Sequence, residues 1–188
     1  MKIRSLILIA GLFILNSCIV KSLNPFYTKE TISFDKKMIG KWQDNKGATW
    51  EILSFREEIL KDRKGEKLSE DDQKIYDEYK GGYYIKKSKK GEDVIFLANP
   101  FIIKGQTFLD FLPLSNAEGI DDLLEGHLVY THSLVKYDVQ KNGEINITWL
   151  DEDKIGNLFE NNKIKIAHEV VGFGVNNSKF ILTAKPKE

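Results

Sequence analysis

His127, His132 and His168 are the side chains of this chain whose ordinary pKa lies near neutrality, so they are the first candidates for proton transfer. In the run Lys163–Val171, His168 shares parity with Ile164, Ile166 and Val170, which at a period of two puts it on an apolar face. Asp110 shares parity with Phe108 and Leu112 in the same way. An aspartate and a histidine converging in a cavity can orient a polar ligand or work as an acid/base pair, which is the basis of a hydrolase reading for Asp110 and His168. The plainer reading is a pair of buried, hydrogen-bonded polar groups, because buried polar atoms are normally satisfied. It outweighs the first, and no catalytic residue is assigned.

Metal and cofactor chemistry find less support. His127 and His132 are five apart on an expected strand, face opposite sides and cannot jointly clasp one ion. Asp121-Asp122 and Asp151-Glu152-Asp153 lack the spacing of a calcium loop and read as solvated loop and helix cap. There is no Gly-x-Ser-x-Gly elbow, phosphate-cradling glycine loop or Cys-x-x-Cys, and Gly172-Phe173-Gly174-Val175 reads as a strand bend. No metal and no cofactor are expected. Trp50, Trp149, Tyr83, Tyr84, Phe96 and Phe101 stand at strand spacing, which usually means core. If the interior is open, they favour an apolar guest, and Trp50, Asp110, Trp149 and His168 are its candidate binding residues.

The elements that must position these residues belong to one domain. The chain has 188 residues, 41% of them hydrophobic and 30% charged, a composition for a single globular core. The 28 basic residues balance the 28 acidic ones, so no basic excess points to nucleic acid.

From Ile39 the sequence breaks into short β-like runs: 39–44, 48–55, 82–87, 93–98, 101–104 with 107–112, 127–139, 144–150, 163–171 and 179–184. Asn45-Lys46-Gly47, Lys90-Gly91, Asn142-Gly143 and Asn176-Asn177 tolerate positive φ and mark tight hairpins, so consecutive runs should pair antiparallel. In 144–150, Ile145, Ile147 and Trp149 share one face and Glu144, Asn146 and Thr148 the other. Two segments interrupt the rhythm. In 56–80, Ser69 followed by Glu70-Asp71-Asp72 and then Ile75, Tyr76 and Tyr79 predicts a capped amphipathic helix, with a charged loop as the competing reading. Residues 151–160 predict a second short helix, with Ile155, Leu158 and Phe159 at helical spacing. The fold class is mainly β: a single antiparallel barrel of about eight strands with one or two short helices, a two-sheet sandwich being the alternative.

The N-terminus carries the sharpest signal. Lys2 and Arg4 lead into Leu6-Ile7-Leu8-Ile9-Ala10-Gly11-Leu12-Phe13-Ile14-Leu15, an apolar stretch of export-signal length that is too short to span a bilayer as a helix. It ends at Leu15-Asn16-Ser17-Cys18, which resembles the lipobox of bacterial lipoproteins, with Asn16 departing from the usual small or aliphatic residue. Cys18 is the only cysteine, so no disulfide can form within the monomer, and lipidation accounts for a thiol that would otherwise be odd in an exported protein. The resemblance implies acyl chains on Cys18, together a firm anchor where one chain is marginal. Ile19, rather than Asp, follows the cysteine, which favours the outer membrane of the cell envelope over inner-membrane retention. The expected organisation is a signal peptide at 1–17, a lipidated tether and lead-in at 18–38 that packs partly on the domain, and the β-barrel at 39–188.

Gly40-Lys41-Trp42 is similar to the Gly-x-Trp that opens lipocalins, where the tryptophan plugs the closed end of the barrel. Together with Ser22-Leu23-Asn24-Pro25-Phe26-Tyr27-Thr28, Phe34-Asp35, Phe108-Leu109-Asp110-Phe111-Leu112-Pro113, His127-Leu128-Val129-Tyr130, Thr148-Trp149-Leu150 and Leu182-Thr183-Ala184, it resembles a family of uncharacterised bacterial lipoproteins with a lipocalin-like domain. The chain's arginines are only Arg4, Arg56 and Arg63, so the late arginine that stacks on the tryptophan in lipocalins is missing, and Lys179 or Lys185 is the candidate cap for Trp42. The implied function is a lipid-anchored envelope protein binding a small apolar ligand or acting as an accessory module. The alternative is an assembly partner of another envelope protein, with a filled barrel and residues 56–80 as its contact.

Overall fold

The structure, a computed structural model, describes residues 19–61, 67–114, 128–171 and 180–187. The hairpin rhythm of the sequence is realised in β2 (Gly40–Gln43), β3 (Thr49–Ser54), β4 (Tyr83–Lys89), β5 (Glu92–Ile103), β6 (Gln106–Leu114), β7 (His132–Val139) and β8 (Ile145–Trp149). Each pairs antiparallel with the next. Lys90-Gly91 and Lys104-Gly105 both place two successive residues at positive φ, the twist that joins neighbouring strands through a two-residue loop. The runs 93–98 and 101–104 are one strand, β5, which passes through Pro100 without interruption.

Three short strands complete the sheet: β1 (Lys21–Ser22), β9 (His168–Val170) and β10 (Phe180–Leu182). The strand order is β2-β3-β4-β5-β6-β7-β1-β10-β9, with β8 also on β7. The molecule is therefore mainly β, as its sequence predicts, but the end strands β2 and β9 do not pair and the sheet is not closed into a barrel. The physical reason lies in the last two runs. Expected as strands over 163–171 and 179–184, they contribute three ladder residues each, and β10 is occupied by β9 on one edge and β1 on the other.

The lead-in is more deeply built into the domain than a tether. Ile19 bridges Asp151, Val20 is completely buried, and β1 lies between β7 and β10, antiparallel to one and parallel to the other. Further along, Ile32 bridges Phe101 and the Ser33 amide donates to the Pro100 carbonyl, so the lead-in pairs with the edge of β5 that β4 leaves free.

Alternation divides the sheet into two faces. The inner face gathers Met38, Ile52, Tyr83, Ile85, Ala98, Leu109, Phe111, Val135 and Tyr137, with Trp42, Trp50, Phe96 and Trp149 packed around them. Strands as far apart in order as β3 and β8 meet in this cluster, so the sheet must curve around it. A smaller cluster of Val20, Phe180 and Leu182 lies under Ile155 and Phe159.

Among the described residues three α-helices interrupt the strands: α1 (Phe55–Leu60), α2 (Glu70–Tyr79) and α3 (Glu152–Glu160). The two predicted helices are α2 and α3, capped by Ser69 and Asp151, whose side chains accept from Asp72 and Lys154 amides. The third, α1, was not predicted: it takes Phe55 from the expected strand 48–55 and opens the charged stretch 56–80. Ser54 caps it, and buried Phe55 packs edge-on against Tyr79 of α2.

Candidate functional site

The polar residues of the two central strands converge on the outer face, beneath the lead-in and α2. Asn99 of β5 pairs across the ladder with Asp110 of β6, which pairs with Leu134 of β7. Side chains two residues apart share a face, so His132 lies diagonally from Asp110 on the same side. His132 Nδ1 is 3.0 and 3.1 Å from the two oxygens of the Asp110 carboxylate. The Phe26 amide donates to Asp110 Oδ2 at 3.1 Å. Asp110 is 2% exposed, and burial pushes its carboxyl above the usual carboxylate range against the opposing pull of His132 and the Phe26 amide.

A second group continues from the first. Asn99 Nδ2 donates to the Tyr27 hydroxyl at 2.6 Å, and that hydroxyl donates to Glu78 of α2 at 2.7 Å. Burial first, and then the Glu78 carboxylate, hold the Tyr27 phenol far above its ordinary value. Lys29 lies 3.5 Å from the other oxygen of Glu78. Asn99 also sits against the backbone of Gly82, where a Cβ would come 2.4 Å from Asn99 Oδ1 and 2.6 Å from the Ala98 carbonyl. Only a residue without a side chain permits that approach.

An Asp–His pair can hold an imidazole in the orientation of a general base, provided a substrate proton is within reach. Here the carboxylate is sealed by Phe26 and by β1, which pairs with the His132 backbone, and the His132 side chain is 13% exposed. The arrangement binds chain to chain: it fastens the lead-in to the sheet at Phe26 and Tyr27. Among the described residues no group of three or more His, Cys, Asp and Glu is placed to hold a metal ion.

The four residues expected to share one cavity occupy three places. Asp110 belongs to the outer face, bonded to His132 rather than His168. His168 lies on β9, its ring stacked 4.0 Å from that of Phe159 and its Nδ1 2.8 Å from the Ile166 carbonyl, so the Asp110–His168 acid/base pair does not form. Trp149 packs on Phe111 in the inner cluster, with ring centroids 5.4 Å apart. Trp50 borders the same cluster, donates from Nε1 to Asp44, and carries the Lys87 ammonium 4.8 Å from its ring. That bond, with the Ala48 and Lys46 amides, holds the Asp44 carboxyl below the usual range.

Trp42 packs against the cluster and donates to the Met38 carbonyl, while Lys185 lines a groove beside Ser22 and Phe26. Lys179, Cys18 and His127 lie outside the described residues.

Sequence reasoning weighed His132 only beside His127, missing its pairing with Asp110, and did not single out Tyr27, Glu78 or Asn99. One signal was available. A two-residue turn at Lys104-Gly105 sets Asn99 opposite Asp110, two polar residues inside apolar runs that can face each other only if something polar covers them.

Comparison with protein-family models, with curated proteins and with solved structures finds no match to this chain.

Proposed function

We propose that the chain is a lipid-anchored protein of the bacterial cell envelope, held by acylated Cys18 in the outer membrane, whose curved β domain serves as an assembly or accessory module. The lipobox-like Leu15-Asn16-Ser17-Cys18 after an apolar leader supports the anchor. Gly40-Lys41-Trp42 at the start of β2, followed by antiparallel hairpins, supports kinship with lipoproteins bearing a lipocalin-like domain.

The observation that carries the accessory role is the packing of the inner face. A lipocalin-like carrier needs room where its strands curve. Here Met38, Tyr83, Phe111 and Leu109 are each at most 1% exposed in that space, with Trp42, Trp50 and Trp149 packed around them. A chain with a filled core acts through its surfaces.

One feature favours a small apolar ligand as a second reading: a groove of about 160 Å³ between Phe26, Ile166, Leu182 and Pro186. Pockets for drug-sized ligands run to roughly 300–1,000 Å³, so a guest here would be no more than a short chain or a single ring.

The test is native mass spectrometry of the protein purified from bacterial envelopes in detergent, before and after organic extraction. The accessory reading expects the mass of the acylated chain alone, with crosslinked envelopes yielding a defined protein partner. A stoichiometric extra mass removed by extraction overturns it in favour of the ligand reading.

A further inference from the structure

We infer that the solvent-facing side of the β1–β10–β9 ladder lies against the lipid bilayer, so that the domain is seated on the membrane in a fixed orientation. The inference rests on the reading of Cys18 as the acylated residue.

Burial alternates strictly along β1 and β10. Val20, Ser22, Phe180 and Leu182 are buried, while Lys21 and Ile181 are turned away from that cluster. The register adds Ile19 and Leu23 on β1 and Glu169 and Val171 on β9 to this side, which through Ser133 of β7 continues the face of Phe111 beyond the filled cluster. Ile19 is 36%, Leu23 45% and Val171 42% exposed, and half-buried Ile181 stands between them. With strands about 5 Å apart and a rise of about 3.3 Å per residue, these apolar side chains cover a patch of roughly 10 by 13 Å. None of them belongs to either core cluster.

The chain outside this face identifies what covers it. Ile19 already bridges Asp151 and Val20 is completely buried, so the residue next to Cys18 is itself part of the ladder. Consecutive Cα atoms are ~3.8 Å apart, which leaves an acylated Cys18 no linker between its lipid and the ladder. A domain tethered so tightly must rest on the bilayer, and the surface beside the attachment point is the one that exposes Ile19, Leu23, Ile181 and Val171. Lys21 and Glu169 share the face, and long side chains of this kind reach from an apolar contact to the headgroups.

The experiment uses the full chain matured in a bacterial host and reconstituted into vesicles of phosphatidylethanolamine with a minority of phosphatidylglycerol. The acyl chains carry nitroxide quenchers. Cys18 is the only cysteine, and acylation consumes its sulfur, so Glu169→Cys supplies a single thiol for a fluorescent label without altering the apolar residues. Lys46→Cys, in the turn between β2 and β3, is the reference at the other end of the strand order.

Quenching several-fold stronger at 169 than at 46 is the expected result, and Leu23→Glu with Val171→Glu should abolish the difference. Equal quenching at the two sites on protein that floats with the vesicles overturns the docking face and leaves the anchor standing. So does a difference that survives the two glutamates. The unsubstituted chain reports on the anchor separately: if it takes up the thiol label and fails to float with vesicles, both the anchor and the docking face are overturned.

Discussion

The two faces of one sheet solve opposite problems with the same strands. On the inner face, Leu109, Phe111 and Val135 meet Ile52, Ile85 and Tyr83 in a cluster held by shape and apolar area, its Tyr83 hydroxyl satisfied by the Asp35 backbone. On the outer face of the same strands, Asn99, Asp110 and His132 are covered by the lead-in and α2, which supply partners for the Asp110 carboxylate and the Asn99 Nδ2 group, while Asn99 Oδ1 is buried without one. Damage to the inner face is therefore a matter of volume. Damage to the outer face depends on which group is left without its partner, and on pH.

The largest effect should come from the inner face. Phe111 touches Phe96 and Trp149, and Phe111→Ala should cost about 3–5 kcal/mol in urea unfolding, with no dependence on pH. A cost that varied with pH would mean that the two faces are coupled.

Asp110→Ala comes next. It orphans the Phe26 amide and the His132 ring, and should cost about 2–3 kcal/mol while loosening the lead-in, seen as faster amide hydrogen exchange at Phe26 and Tyr27. Asp110→Asn keeps the shape and the acceptor and should be much milder. The pH profile separates the two. Burial raises the folded pKa of Asp110, so the stability it contributes is complete below the unfolded value of ~3.9 and is lost as the pH rises through the folded value. The wild-type protein should lose stability over that rise relative to Asp110→Asn; an unchanged difference between them would show that the carboxylate's ionisation costs the fold nothing.

Gly82→Ala sharpens the comparison from the backbone side. Its Cβ meets Asn99 Oδ1 and the Ala98 carbonyl, so the Asn99 amide must shift and the bond to Tyr27 must lengthen, at a cost of about 1–2 kcal/mol. Pairing it with Tyr27→Phe in a double-mutant cycle should give a non-additive total, and simple additivity would place the strain elsewhere.

The smallest effect concerns Asp44, the counterpart of Asp110. Its carboxyl is lowered by the Trp50 indole first, so the stability it contributes is present above its unfolded value and lost as the pH falls through the folded one, the reverse of Asp110. Trp50→Phe removes the N–H donor. An NMR titration should then find the Asp44 pKa nearer its ordinary value, and no movement would assign the lowering to the Ala48 and Lys46 amides instead.

Much of the sheet was legible before any fold was known. The runs around Trp42, Trp50, Tyr83 and Trp149 alternate cleanly, and the glycine-bearing turns at Gly47, Gly91 and Gly143 adopt the positive φ that hairpins require. The helices of 70–79 and 152–160 were readable because Ser69 and Asp151 cap them within three residues, a local interaction. β1 was not readable, since two residues of ladder leave no periodic signature. His168 was misplaced for a related reason. Parity put it on an apolar face, and it does lie against Phe159 and Phe180, but parity cannot say which apolar surface that is.

The sequence by itself determined what depends on neighbours a few residues apart: the alternation of strands, the hairpin turns, the capped helices, the apolar run of residues 6–15 and the lone Cys18. Only the tertiary structure decided that the sheet stays open, that its inner face is filled, and that Asp110 binds His132 and Phe26. The last of these depends on Asp110 and His132 being brought beneath the lead-in, contacts up to 84 residues apart along the chain. No local pattern encodes such contacts, because the partners of a buried polar group are supplied by segments that only the folding of the whole sheet brings near it.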